Sequence, residues 1–210
     1  FKCLIDNNEV IFHNDIKGSN IIQYYRRFLL LSLSSIVSFN NNLYPIHGCG
    51  VSYKGESFII SGNSGEGKST LNMLLQERGF KTIGDDVLNV YVDNKKSYVH
   101  PGPPVSFLID DSIDILNMWD IEKIIVRDPM WKTTFSTINN FDDNITPIRK
   151  IYNLSESNSD IYISSNINIF GKIKIIKKSG YKYYIYDIID SDKQKRMITD
   201  IANYTEIVNF

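Results

Sequence analysis

The chain has 210 residues, of which 42% are hydrophobic and 12% aromatic, enough to bury one sizeable core in one domain or at most two. Its 23 Lys+Arg against 24 Asp+Glu leave a net charge of -1, which excludes any general electrostatic attraction to nucleic acid or to a membrane surface. The two cysteines, Cys3 and Cys49, lie far apart and without metal-ligand spacing, so they read as reduced thiols of a cytoplasmic protein.

In chain order, "CLIDNNEVIFH" predicts two short strands around an Asn-Asn turn. No signal-peptide pattern opens the chain. A helix is expected from about Ser19 to Phe39; its apolar run "FLLLSLSSIVSF" would rise only about 18 Å, against the roughly 30 Å of a bilayer core, and so reads as a buried helix. Next, "HGCGVSYKGESFIISG" predicts a hairpin, Cys49–Tyr53 with Ser57–Ser61, turning at Lys54-Gly55. A helix over Lys68–Arg78 places Leu71, Leu74, Leu75 and Arg78 on adjoining faces and stops at Gly79.

Strands "VLNVYV" and "SYVH" flank the turn "DNKK", and a helical segment is expected near Ser112 to Trp119. The strand "RKIYNL" then precedes a polar spacer, "SESNSD". The C-terminal part reads as a helix near Asn168 to Lys178, a strand "YKYYIY", a helix near Asp192 to Asn203 and a strand "EIVNF". Without repeats or a long linker, the expectation is one α/β domain: N-terminal strands and helix over 1–43, a core over 44–154, and a helix/strand part over 155–210.

The core carries Gly62-Asn63-Ser64-Gly65-Glu66-Gly67-Lys68-Ser69, followed by Thr70, a match to G-x-x-x-x-G-K-[ST] between a predicted strand and a predicted helix. Glycines let successive backbone N–H groups curl round an anion, and the helix start turns its positive dipole end toward phosphate. Lys68 then spans the terminal phosphates of a nucleotide, and the Ser69 hydroxyl is a candidate Mg²⁺ ligand.

Asp85 and Asp86 follow only 17 and 18 residues after Lys68. A helix of about 11 residues carries the chain roughly 16 Å away. A strand over "GFKTI" returns at about 3.3 Å per residue, running parallel to the strand before the loop. The two carboxylates should therefore emerge beside the phosphate loop, facing opposite ways and serving different purposes. One of them can ligate Mg²⁺ or accept a proton from a hydroxyl nucleophile. So short a spacing is unusual for motor and switch ATPases. If Lys54-Gly55 is a two-residue turn, paired residue numbers sum to 109 and His47 falls opposite Gly62, within reach of a polyphosphate. His13 and His100 have no such placement and read as structural or surface residues.

Together, "HGCGVSYKGESFIISGNSGEGKST" and "GFKTIGDDVLNV" resemble the catalytic domain of the HPr serine kinase/phosphorylase family. Outside this core, "VHPGPPVSFLIDDS", "PMWKTTF", "PIRKIYNL" and "IIKKSGYKYYIYDI" resemble the HPr-kinase-like proteins encoded with ribosomally made, modified peptides, lasso peptide kinases among them. The resemblance implies a P-loop fold of the HPr kinase and ATP-dependent phosphoenolpyruvate carboxykinase type, a mixed sheet with flanking helices. It also implies ATP and Mg²⁺, a peptide or protein serine as acceptor and, since family enzymes are often oligomers, a homo-oligomer.

By the same resemblance, Gly62 to Thr70 would hold the ATP phosphates and Asp85 would be the base, with Ser69 and Asp85 at the metal. Asp86 would assist the metal or orient its neighbour. His47 would sit near the transferred phosphate, and Lys132 would supply it a positive charge. The Arg-Gly-rich signature that HPr kinase/phosphorylases carry after the paired Asp is not found; the chain's only Arg-Gly, Arg78-Gly79, ends a predicted helix. The competing readings are a kinase of another protein serine or of a small hydroxylated metabolite, a nucleotide-binding partner protein without transfer, and a hydrolytic ATPase.

Overall fold

The computed structural model describes residues 2–6, 9–13, 31–125, 132–155 and 163–210. Strands β1 (Lys2–Asp6) and β2 (Glu9–His13) pair antiparallel, as the N-terminal pattern predicts. The expected helix is seen as α1 over 31–40, which buries Leu33 and Phe39; its earlier part lies outside the described residues. No helix among the described residues is long and apolar enough to cross a membrane.

The architecture is mixed α/β, and its hub is β3 (Tyr44–Tyr53). It pairs antiparallel with β4 (Glu56–Ser61) on one side, and with β5 (Lys81–Gly84) and β6 (Val87–Asp93) on the other. Lys54 and Gly55 both have positive φ, 52° and 80°, the conformation of a two-residue hairpin turn. That turn fixes the register: Tyr53 faces Glu56 and Gly48 faces Ser61, the expected sum of 109. A second turn of the same kind, at Asn94 and Lys95, joins β6 to β7 (Lys96–His100).

Strand β11 (Thr146–Asn153) runs parallel to both β4 and β12 (Glu206–Asn209), while its first residues pair with β7, so the seven-stranded sheet curls back on itself. A separate three-stranded sheet holds β8 (Val105–Leu108), β10 (Thr133–Ser136) and β9 (Lys123–Ile125). Helix α2 (Lys68–Glu77) leads from β4 to β5, so these two strands run in the same direction with β3 between them. The core forms where Tyr44, Ile46, Ile59, Val90 and Ile151 of the sheet meet Ile176 of α4 (Ile169–Ser179) and Tyr186, Ile198 and Ile201 of α5 (Tyr183–Tyr204).

Three expectations fail. "YKYYIY" is the start of α5, not a strand. Its β-forming residues obey a tertiary demand: only Tyr186 of 183–186 is buried, and it stacks on Phe39 of α1 with ring centroids 4.7 Å apart. The helix expected near Ser112 to Trp119 is α3 (Asp110–Ile115), cut short where Asn117 takes a φ of 51°. In α2 the buried residues are Lys68 and Asn72 rather than the leucine face, and Leu74 is exposed. Asn72 is held inside because its amide donates to Thr82 Oγ1 of β5 at 3.1 Å.

Helix α5 breaks at Asp190, whose φ of -160° and ψ of 91° are extended. Its carboxylate accepts the Lys193 N–H at 2.8 Å, which makes Asp190 the N-cap of the second helical stretch. Replacing it should cost about 1 kcal/mol for Asp190→Ala and a few tenths for Asp190→Asn. Chemical denaturation of the two variants checks this ordering; a negligible loss for Asp190→Ala would mean that the cap carries no energy.

Candidate functional site

The site gathers at one end of β3, β4 and β5. Strand β4 ends at Ser61, the loop 62–67 follows, and α2 begins at Lys68 behind Gly67, whose φ of 79° is the left-handed turn that starts the helix. Within the loop the Glu66 carboxylate accepts both from the Asn63 backbone N–H and from Asn63 Nδ2 (2.6 Å). Lys68 Nζ folds back to donate to the carbonyls of Gly62 (3.0 Å) and Asn63 (2.5 Å). Burial lowers its pKa, as does the charge of Lys132 nearby. Ser64 and Gly65 form the exposed crest of the loop. Thr70 Oγ1 and Ser112 Oγ lie 2.7 Å apart, tying α2 to α3.

The aspartates emerge where the spacing argument places them. Asp85 is 2% exposed and accepts three hydrogen bonds: Ser69 Oγ to Oδ1 (2.9 Å), the Asp86 N–H to Oδ1 (2.9 Å) and the Phe107 N–H of β8 to Oδ2 (2.9 Å). Burial and the neighbouring Asp86 charge raise its pKa to about 6, against the pull of the Phe107 N–H, Lys132 and Ser69. Asp86 points elsewhere. Its carboxylate lies 3.3 Å from Lys132 Nζ, an ion pair with both side chains mostly shielded. Its φ of 74° is rare for a residue with a Cβ. That conformation aims its carbonyl at β3, where it accepts from the Gly48 N–H (3.2 Å) and meets His47 Nδ1 (2.9 Å).

A carbonyl only accepts, so His47 Nδ1 carries the proton and Nε2 is the bare nitrogen of the neutral ring. Burial and the Lys68 charge lower the His47 pKa, which favours that neutral form. Gly48 permits this packing: a Cβ there would sit 2.5 Å from the Ile60 carbonyl oxygen across the hairpin. Beneath the loop, Cys49 is a free, buried thiol that donates to the Lys68 carbonyl at 3.1 Å, and burial pushes its pKa up. His100 packs against Tyr91 on β6, away from these groups.

The structure thus brings Lys68, Ser69, Asp85, Asp86, His47 and Lys132 together. Sequence reasoning missed the Phe107 N–H, Ser112 and the Asp86 carbonyl. The first and third are backbone groups without a residue-type signature; a polar residue after "LIDD" was the only signal for the second.

No family model matches the chain. The HPr kinase/phosphorylase of Lacticaseibacillus casei (strain BL23) is 34% identical over 79 residues, covering 35% of this chain and 25% of that protein. The HPr kinase/phosphorylase of Lactiplantibacillus plantarum is 28% identical over 119 residues, 54% of this chain and 36% of that protein. The chain is distantly homologous to HPr kinase/phosphorylase. It spans from a quarter to just over a third of the length of these curated relatives. A solved structure, the Hpr(Ser) kinase/phosphatase from Coxiella burnetii, overlaps 53% of this chain and 65% of its own with a TM-score of 0.38 and 14% identity, too loosely to bear on the site.

The raised Asp85 pKa has a consequence for stability. The folded chain holds a proton up to about pH 6 that an ordinary aspartate releases near 3.8. This contribution is full below the lower value and is lost as the pH rises through the higher one. At about 1.4 kcal/mol per pH unit, the shift amounts to about 3 kcal/mol. With chelator and no nucleotide, the stability of Asp85→Asn relative to wild type should therefore rise by about that amount between roughly pH 4 and pH 8. Urea titrations at both ends measure it, and a difference that does not move with pH contradicts the burial of an ionisable carboxylate here.

Proposed function

We propose that the chain is an ATP-dependent phosphotransferase that moves the γ-phosphoryl group to a serine hydroxyl of a peptide or protein. The observation that carries this reading is the buried Asp85 carboxylate, hydrogen-bonded to the serine of a phosphate loop and holding a pKa of about 6. A base poised near neutral pH is what a serine hydroxyl, a poor nucleophile, requires. Of the roughly four lone-pair positions on a carboxylate, three are taken by Ser69, Asp86 N–H and Phe107 N–H, which leaves one on Oδ2 for an incoming proton.

The donor set also suits Mg²⁺. Ser69 gives its proton to Asp85 and so offers a hard oxygen for the ion, with the Asp85 carboxylate as a negative charge beside it; among the described residues no group of three His, Cys, Asp or Glu makes a metal site of its own. Mg²⁺ takes few protein ligands beside phosphate and water. When bound, it offsets negative charge on the phosphate oxygens. The remaining tasks fall to the chain. Backbone N–H groups of 62–69 and the start of α2 hold the phosphates, and Lys68 exchanges two loop carbonyls for phosphate oxygens. Lys132, anchored on Asp86, adds charge opposite the transferred group. His47 presents a bare Nε2 and so orients a hydrogen-bond donor, such as the acceptor hydroxyl, rather than a phosphate oxygen.

For the acceptor we favour a serine of a ribosomally made precursor peptide, on the strength of the segments from "VHPGPP" onward. The distant homology to HPr kinase/phosphorylase supports a second reading, a serine of an HPr-like protein. Mass spectrometry of candidate peptides and of HPr after incubation with enzyme and Mg-ATP separates the two. Label from γ-labelled ATP that appears only as free phosphate would make the chain a hydrolase.

Asp85→Asn should keep ATP binding and lose transfer by about 10²–10⁴-fold. Turnover near the wild-type rate would remove Asp85 as the base. Lys68→Ala should instead weaken both nucleotide affinity and turnover; unchanged affinity would argue against the phosphate-loop assignment.

A further inference from the structure

The turn between α4 and α5 runs alongside β3 next to His47. Gly180 forms an antiparallel bridge with Ile46, and the Tyr181 N–H donates to the Pro45 carbonyl at 2.8 Å. In that register Tyr181 lies opposite Pro45, so His47, two residues along, is its diagonal neighbour on the same face. The two rings meet there, with centroids 6.0 Å apart and planes tilted by 48°. We propose that Tyr181 is a positioning residue: its ring fixes the plane of the His47 imidazole and so aims the bare Nε2 at the acceptor hydroxyl. This deepens the proposed function and rests on the part it gives to His47.

One hydrogen bond does not orient a ring. His47 Nδ1 is held to the Asp86 carbonyl at 2.9 Å, and an imidazole tied at that atom alone can pivot about the contact, carrying Nε2 with it. Hydrogen bonds weaken steeply as they bend, so a pivot of the ring misdirects the acceptor. A second contact, made elsewhere on the ring, removes this freedom. Aromatic pairs hold a preferred geometry at roughly 4.5–7 Å between centroids, offset or tilted rather than face to face. The His47–Tyr181 pair falls inside that range and is tilted.

Tyr181 is itself held in place, as a positioning residue has to be. Its backbone is clamped to β3 by the bridge and the hydrogen bond just described. Lys182 takes the left-handed φ of 51° and ψ of 46°, which turns the chain into α5 directly after the ring. The Lys182 ammonium stands 5.5 Å from the Tyr181 ring centroid and donates to Ser32 Oγ of α1 at 2.6 Å. At position 180 a Cβ would collide with the Tyr44 hydroxyl, so glycine lets the turn come this close to β3. The turn thus ties α1, α4 and α5 to the strand that carries His47.

The test uses Tyr181→Leu, which keeps apolar bulk without a ring, and Tyr181→Phe, which keeps the ring. By NMR of the protein without ligand, the wild type should show a His47 Nδ1–H resonance, identified by its loss in His47→Ala. The resonance should be lost in Y181L and return in Y181F. With Mg-ATP and a serine peptide that the wild type phosphorylates, Y181L should lower kcat by about tenfold or more, with the KM for ATP within about twofold. Y181F should restore that rate. In the His47→Ala background, Y181L should cost no more than about twofold further. A resonance in Y181L as sharp as in the wild type overturns the proposal, as does its absence from the wild type. An undiminished kcat in Y181L, or a loss just as large once His47 is gone, also overturns it. A loss shared by Y181F overturns it in favour of the hydroxyl. Turnover near the wild-type rate in His47→Ala defeats the role of His47 itself, a result distinct from a failure confined to Tyr181.

Discussion

One buried carboxylate joins the start of α2 and strand β8 to its own turn. Asp85, at the end of β5, accepts from the first turn of α2 through Ser69, from the turn into β6 through the Asp86 N–H, and from β8 through the Phe107 N–H. Each of these donors needs an acceptor where water is excluded, and an ionised carboxylate satisfies all three at a desolvation cost that appears as its raised pKa. An apolar residue at 85 would leave two backbone N–H groups and a hydroxyl unpaired. The loop 62–67, the β5–β6 turn and the three-stranded sheet are thus held in one arrangement by the same group that the proposed function uses as its base.

Asp86 extends this arrangement toward β3. A residue at φ 74° is strained, and the strain is offset by what the conformation allows. The carbonyl turns to His47 and Gly48 while the side chain turns to Lys132. Adjacent aspartates therefore face different partners, one buried among donors and one paired with a cation. Placed in the same environment, each would raise the other's pKa strongly; here the Asp86 charge ranks behind burial in shifting Asp85, and Lys132 works against both.

How much of this was legible in the sequence depended on how local the cause was. The strand–loop–helix run from β4 to α2, the return of β5 and the emergence of Asp85 beside Ser69 follow from local chain geometry, where rise per residue is a sufficient ruler. The hairpin register followed from a two-residue turn at Lys54-Gly55, which left no freedom to slide. "YKYYIY" was misread because its residue types prefer strands, while the decisive fact was distant: a slot against Phe39 and Tyr44 that admits Tyr186 alone of 183–186. The Asp85–Phe107 contact was invisible for a different reason, since a backbone N–H is present at nearly every position. Lys132 stood out only through family resemblance; nothing in its spacing points to Asp86, 46 positions earlier.

The loop itself is electrostatically self-contained. Glu66 closes on Asn63 through both the side chain and the backbone N–H, and Lys68 lies across the carbonyls of Gly62 and Asn63. A partly buried ammonium is costly unless its protons are matched, and two carbonyls match them without supplying a counter-charge. A phosphate group offers the same ammonium both acceptors and charge, so exchanging the one for the other is favourable where water is scarce. On the proposed function, phosphate entry moves Lys68 off the carbonyls of Gly62 and Asn63, while Ser69 stays tied to Asp85 as the charge arrives.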